Sequence, residues 1–166
     1  MDHQLPQQAA AITLETLAGF LQRNDRLIGL DLGEKTIGVA LSDVERRIAT
    51  AYSTIMRKKF GTDAAELLAI AEKQQVTAFI LGLPLNMDGS SGPRVQATRA
   101  FARNLAQLTT RPILFWDERL STVAAERALI SADLSRKKRA AVIDATAAAF
   151  ILQGALDRLR SLAQSI

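Results

Sequence analysis

Three acid-bearing segments, far apart in the chain, have the residue types to hold a divalent cation together. They are Asp31 in LIGLDLGEKTIGVALSD, Asp117-Glu118 in PILFWDERLST, and Asp144 in RKKRAAVIDATAAAFILQ. Two read as apolar strands that contain or end on an acid. The third reads as an Ala-rich helix with an acid near its start. An unpaired carboxylate in apolar surroundings is costly, and converging carboxylates raise one another's pKa. Mg²⁺ or Mn²⁺ relieves both costs, because hard cations take carboxylate, water and phosphate oxygens. Two such ions can activate a water and stabilise the leaving oxygen of an in-line displacement. Asp31, central in the expected sheet, is best placed to bridge them.

Each acid also has a plainer explanation. Asp31 lies between Gly29 and Gly33 on one strand face, where missing side chains admit a ligand or another backbone; it could instead only cap the following turn. Asp117 and Glu118 follow PILFW, and ligands meet α/β sheets at the carboxyl ends of strands. Consecutive strand residues point to opposite faces, so at most one of these acids faces a site. Spacing does not say which, and Arg119 could neutralise either; Ser121 or Thr122 could orient the chosen one. Asp144 stands among Ala140, Ala141, Ala145, Ala147 and Ala148, small residues that let a helix approach a sheet and bring Asp144 near Asp31. It lies at the edge of an Ile143, Ala147, Phe150 stripe. With a helix start near Ser135, it is too deep to act as a first-turn dipole acid.

Basic residues surround these segments. Arg136-Lys137-Lys138-Arg139 lies one to two turns before Asp144. Such a run is usually a solvated face, but beside a metal site it suits phosphate. Lys35, Arg94 and Arg119 are further candidates for nucleic-acid contact. The loop LPLNMDGSSGPR offers amides, two serines and Arg94, and is either a long connection or an ordering loop near substrate. Trp116 and Phe115 belong to the core rather than to a base-stacking platform. His3, the only histidine, sits in a polar tail, so histidine acid–base catalysis is not expected.

The elements that must position these groups follow from periodicity. A short helix spans 13–23, and strands span 26–32, 36–42 and 47–56. A helix at 62–75 leads to a strand at 76–82, and a helix at 93–108 leads to a strand at 112–116. Helices at 121–130 and 136–160 close the chain. This order predicts an α/β fold: a mixed five-stranded sheet, made of a three-stranded antiparallel meander and two parallel strands, with helices on both faces. Residues 1–25 read as a partly helical N-terminal extension before one domain at 26–160.

The composition agrees with one domain. The chain has 166 residues, 48% of them apolar, and no cysteine, so disulfides and thiolate metal sites are excluded. No apolar run approaches a membrane span, and no export signal is visible. The cytoplasm is the expected compartment. A net charge of +4 and a pI near 9.8 are compatible with a polyanionic partner.

Taken together, LIGLDLGEKTIGVALSD, LGLPLNMDGSSG, WDERLST and IDATAAAFILQ resemble the YqgF, or RuvX-like, family of Holliday junction resolvases and pre-16S rRNA nucleases. The resemblance covers about residues 26–159, and WDERLST with GLPLNMDG is its most specific part. It implies a ribonuclease H-like fold and metal-dependent nucleolytic cleavage, with a role in maturing the 5′ end of 16S rRNA. Carried over by motif, the acids would be Asp31, Glu118 and Asp144, holding Mg²⁺ or Mn²⁺, with Asp43 of the LSD segment a lesser candidate. The departure is the segment at 1–25, because such chains usually begin near the first strand. The expected partners are structured RNA (pre-16S rRNA) or branched DNA, with ribosomal particles in view and no membrane, for a monomer or homodimer. A non-catalytic ribosome assembly factor that binds nucleic acid is the alternative of another class. An actin-like ATPase also opens with DLG and a hairpin, but it needs two such domains, and only one fits here.

Overall fold

The computed structural model describes residues 13–120 and 136–164, with side chains in its final helix described from residue 145 onward. The sheet grows outward from β1 (Arg26–Leu32), whose residues 27–32 are all buried. A strand covered on both faces needs a nearly continuous apolar run, and LIGLDL supplies one with a single acid in it. β2 (Thr36–Ser42) returns antiparallel and pairs Gly38 with Asp31. β3 (Ala49–Met56) completes the meander. β4 (Val76–Leu83) and β5 (Ile113–Asp117) add in parallel on the other side. The strand order is β3-β2-β1-β4-β5, the mixed five-stranded sheet expected from the sequence.

Four described helices cover the sheet. α1 (Leu14–Phe20) and α4 (Arg136–Gln164) lie on one face, and α2 (Phe60–Lys73) and α3 (Pro93–Ala106) on the other. The alternation of the strands sorts the core accordingly. Leu27, Ala78, Ile80, Leu114 and Trp116 pack with α1 and α4. Ile28, Leu30, Phe79, Leu81 and Ile113 pack with α2 and α3. The parallel strands require crossovers, which α2 and α3 provide. The helix expected at 121–130 lies outside the described residues.

Boundaries differ from expectation where polar groups intervene. β3 begins at Ala49, because Asp43 draws residues 43–48 into a turn: its Oδ1 accepts the Arg47 and Ile48 N–H groups at 2.8 and 3.0 Å. α2 begins at Phe60, and the buried Asp63 reaches back to accept the Lys58 N–H at 2.9 Å. α4 runs to Gln164, where Leu159 still has an apolar partner in the wholly buried Leu17 of α1. Ala148, Ile151, Leu152, Ala155, Leu156 and Leu159 form its buried stripe. Position 144 lies one helical turn before Ala148.

Three glycines set how closely α4 sits on the sheet. A Cβ on Gly29 would come 2.6 Å from Leu152 Cβ and 2.8 Å from the Ala148 carbonyl oxygen. On Gly82 it would collide with Ile151 Cδ1, and on Gly154 it would lie 2.8 Å from the Trp116 ring. The room left beside Asp31 is thus taken, at Gly29, by another backbone. Gly29→Ala must push α4 off β1, since backbone cannot rotate away. The expected loss is about 1–3 kcal/mol or more, the usual cost of overpacking, read from the urea midpoint; a midpoint equal to wild type would show that the helix yields freely.

Candidate active site

Asp31 is the one acid in β1 and is only 5% exposed. It shares a face with Leu27 and Gly29, the face that α4 covers. The β1–β4 register runs to Leu30 opposite Leu81; one further step sets Asp31 level with Gly82. Gly82 in turn pairs with Trp116 of β5. A Cβ on Gly82 would lie 3.3 Å from Glu118 Oε1. The Glu118 carboxylate therefore folds back over β4, on the face carrying Asp31. Neighbouring strands are about 4.8 Å apart, so Asp31 and Glu118 approach one another across a single strand spacing.

The alternation in β5 separates the two consecutive acids. Leu114 and Trp116 face α4, whereas Ile113 and Phe115 face α2 and α3. Asp117 continues the second set, and Glu118, opening a 3₁₀ turn at Glu118–Leu120, returns to the first. Asp117 is engaged elsewhere. Its carboxylate accepts Arg119 Nη2 at 2.6 Å, Arg119 Nε at 3.0 and 3.1 Å, and the Arg119 backbone N–H at 2.9 Å. The Arg119 guanidinium bonded to it holds the Asp117 carboxyl below the usual carboxylate range, and Asp117 holds Arg119 above its own. Arg119, a candidate for nucleic-acid contact, bonds Asp117 through two of its three guanidinium nitrogens.

The remaining candidates divide by location. Position 144 lies in α4, one turn before Ala148, whose carbonyl rests against Gly29. Gln153 and Arg160 meet the Arg47 carbonyl beyond the other end of β1, so α4 runs antiparallel to β1 and its 144 end lies toward Asp31. The side chains of Asp144 and of Arg136, Lys137, Lys138 and Arg139 lie outside the described residues, as do Ser121 and Thr122 entirely. Among the described residues no three potential metal ligands cluster; the described pair is Asp31 and Glu118. Asp43 does not join them. It follows β2 at the far end of the sheet, and the N–H groups of Ile48 and Arg47 keep its carboxyl below its ordinary range.

Two exposed cations flank the acidic end. Lys35 stands in the β1–β2 turn, and Arg94 in the first turn of α3. Arg57 braces this corner: its N–H donates to the Lys35 carbonyl at 2.9 Å and its Nη1 to the Gly33 carbonyl at 2.6 Å. The loop at 84–92 is ordered by its own bonds. Gly89 N–H donates to the Asn86 carbonyl at 2.8 Å and Asn86 N–H to the Ser90 carbonyl at 3.1 Å. Sequence reasoning missed Gly82 as the floor under Glu118 and Arg57 as the brace. A glycine inside a strand was the available signal for the first; nothing local announced the second.

The sheet order and the helices on its two faces are those of the ribonuclease H-like fold class. T. thermophilus RuvC, solved in complex with Holliday junction substrate, aligns with a TM-score of 0.52 at 14% identity, covering 82% of this chain and 97% of that one. The chain belongs to the RuvX family, described as Holliday junction resolvase, whose model matches residues 25–158. A Ruegeria pomeroyi protein is 63% identical over 150 residues, covering 90% of this chain and 97% of the relative. A Bradyrhizobium sp. protein is 62% identical over 157 residues, covering 95% and 98%. Both carry the name "Putative pre-16S rRNA nuclease". The second alignment is long enough to take in the residues of α1.

The Asp117–Arg119 pair yields a titration test. A depressed carboxyl stabilises the fold above the unfolded aspartate range and loses that contribution as pH falls through its folded value. Without added metal, the ¹³C-detected midpoint of Asp117 should fall below ~3.9 and move upward in Arg119→Ala. An unmoved midpoint would mean that the guanidinium is not the cause.

Proposed function

We propose that this chain is a metal-dependent nuclease that processes the 5′ end of pre-16S rRNA in the cytoplasm. Family membership makes it a phosphodiester-cleaving hydrolase. The reading rests on one observation: Asp31, buried at the end of the central strand, has the Glu118 carboxylate folded toward it over Gly82. Two carboxylates on one face at one end of the sheet form an oxygen donor pair that a hard cation can share. Their hard oxygens suit Mg²⁺ or Mn²⁺ and not a soft metal. Asp31 and Glu118 would hold the ion, with Asp144 as the third ligand. When bound, the metal supplies an activated water and neutralises charge on the phosphodiester.

The chain's own groups supply binding and orientation. Lys35 and Arg94 flank the acidic end and can take backbone phosphates, and Arg136, Lys137, Lys138 and Arg139 precede position 144 in α4. Such contacts position a strand without reading its sequence. Phosphate affinity of this kind falls steeply with salt. The covered apolar faces of β1 and β4 keep the carboxylates in place, so little reorganisation is needed when substrate arrives.

A second reading, cleavage of branched DNA, is favoured by the family's description and by the fold shared with RuvC. One substrate panel separates the readings: a 16S precursor with its 5′ leader, a four-way DNA junction and a linear duplex. Asp31→Asn should lower Mg²⁺- or Mn²⁺-dependent cleavage by about 10²–10³-fold or more, the scale of losing one preorganised charged group, with circular dichroism unchanged. Full activity in Asp31→Asn would remove the mechanism. Binding without turnover under either metal would leave a non-catalytic assembly factor.

A further inference from the structure

The turn that carries Glu118 is held from both sides by groups with no assigned role. Asp117 Oδ1 accepts the Arg119 backbone N–H at 2.9 Å. That bond closes a ring around Glu118, an aspartate-led turn of the kind that fixes the enclosed residue's backbone. The Arg119 side chain then folds back onto the same carboxylate through Nε and Nη2. Its remaining nitrogen, Nη1, reaches the Met87 carbonyl at 3.4 Å. It also lies 3.3 Å from where a Cβ on Gly89 would stand, and Gly89 holds φ +86°. Any other residue at 89 would be strained there and would crowd the guanidinium.

Arg119 therefore joins two chain segments that flank the Glu118 carboxylate. One is the end of β5, from which Glu118 projects. The other is the 84–92 loop, which leaves β4 after Leu83, the residue next to Gly82, the floor beneath Glu118. We propose that Asp117 and Arg119 are positioning residues: Asp117 aims Glu118 at the metal site, and Arg119 clamps that turn to the 84–92 loop so that loop and ligand move as one unit. The inference rests on the reading of Glu118 as a metal ligand. It departs from the expectation that Arg119 touches phosphate, because two of its three guanidinium nitrogens are bonded to Asp117 and the third reaches Met87. Lysine cannot replace it, since one ammonium does not reproduce the fork that grips Asp117 while reaching Met87.

The test uses Mn²⁺ binding to the full chain by calorimetry, and amide exchange of residues 84–92, both independent of turnover. Asp117→Ala should weaken Mn²⁺ by about 10–100-fold, the range for outer-shell partners, and speed loop exchange. Asp117→Asn keeps an oxygen for the Arg119 N–H, so it should hold Mn²⁺ affinity near wild type yet still loosen the loop. Arg119→Lys should loosen the loop as Arg119→Ala does. The Asp117→Ala/Arg119→Ala pair should bind Mn²⁺ no worse than Asp117→Ala alone, since the two act through one turn. In cleavage assays kcat should fall in Asp117→Ala with KM little changed. Mn²⁺ affinity of Asp117→Ala within twofold of wild type overturns the inference. So does a fall of about one in the salt slope of substrate binding in Arg119→Ala with metal affinity intact, the mark of a phosphate contact. Asp31→Asn is the control: if wild type binds no Mn²⁺ that this substitution weakens, the metal reading itself has failed, and the inference with it.

Discussion

The close approach of α4 to β1 is the constraint on which the site depends. Helix and sheet usually meet through interleaved side chains; here the Ala148 carbonyl and Leu152 Cβ rest directly on Gly29. The contact has no slack, because backbone on each side meets backbone or the first side-chain carbon. It fixes the height of α4 above the strand and, two residues further along β1, the height above Asp31. A helix lifted by one methyl layer would carry position 144 away from the acidic end. The same face repeats the device at Gly82 and at Gly154 against Trp116, so the helix is seated on three strands rather than hinged on one.

That seating explains how a carboxylate can stand in a strand otherwise made of leucine, isoleucine and glycine. Asp31 is only 5% exposed, because the seated helix closes over the face it shares with Gly29. The glycine-backed packing resists the relaxation that would separate the two acids. Rigidity beneath the acidic end thus keeps Asp31 and Glu118 on one face of the sheet.

Much of this was legible in the chain. β1, β2, β4 and β5 follow from apolar runs broken by turn residues, and the meander followed by crossovers leaves few topologies open. Asp31 stood out as an acid in such a run. What one-dimensional spacing could not resolve was anything decided by phase or by remote partners. Asp117 and Glu118 are adjacent, and only the phase set by Leu114 and Trp116 assigns them to opposite faces. Asp43, only a lesser candidate from the sequence, is absorbed by the turn at 43–48. In α4, Ala147 of the expected stripe is buried and Phe150 packs against the core, but the alanines blur the apolar periodicity and hide how far the buried face extends over Ala148, Ile151, Leu152 and Ala155. Arg57 and Asp63 gain their roles from segments more than one element away or from a corner that no pattern announces.

The two neighbouring acids then illustrate a division of labour that a strand imposes by geometry. A pair of carboxylates on consecutive residues cannot serve one ion, since the pleat turns them apart. The fold uses the difference. Glu118 goes to the face that carries Asp31, and Asp117 goes to the other, where Arg119 pairs with it within the same short turn. Placing that closed Asp117–Arg119 pair around Glu118 stiffens the backbone at the point where a ligand's direction matters most. An apolar residue at 117 would leave Glu118 at the frayed end of an edge strand, free to follow solvent. The order Asp-Glu-Arg thus puts the turn-closing acid, the ligand and the neutralising guanidinium in sequence, and that order cannot be permuted without exchanging the faces.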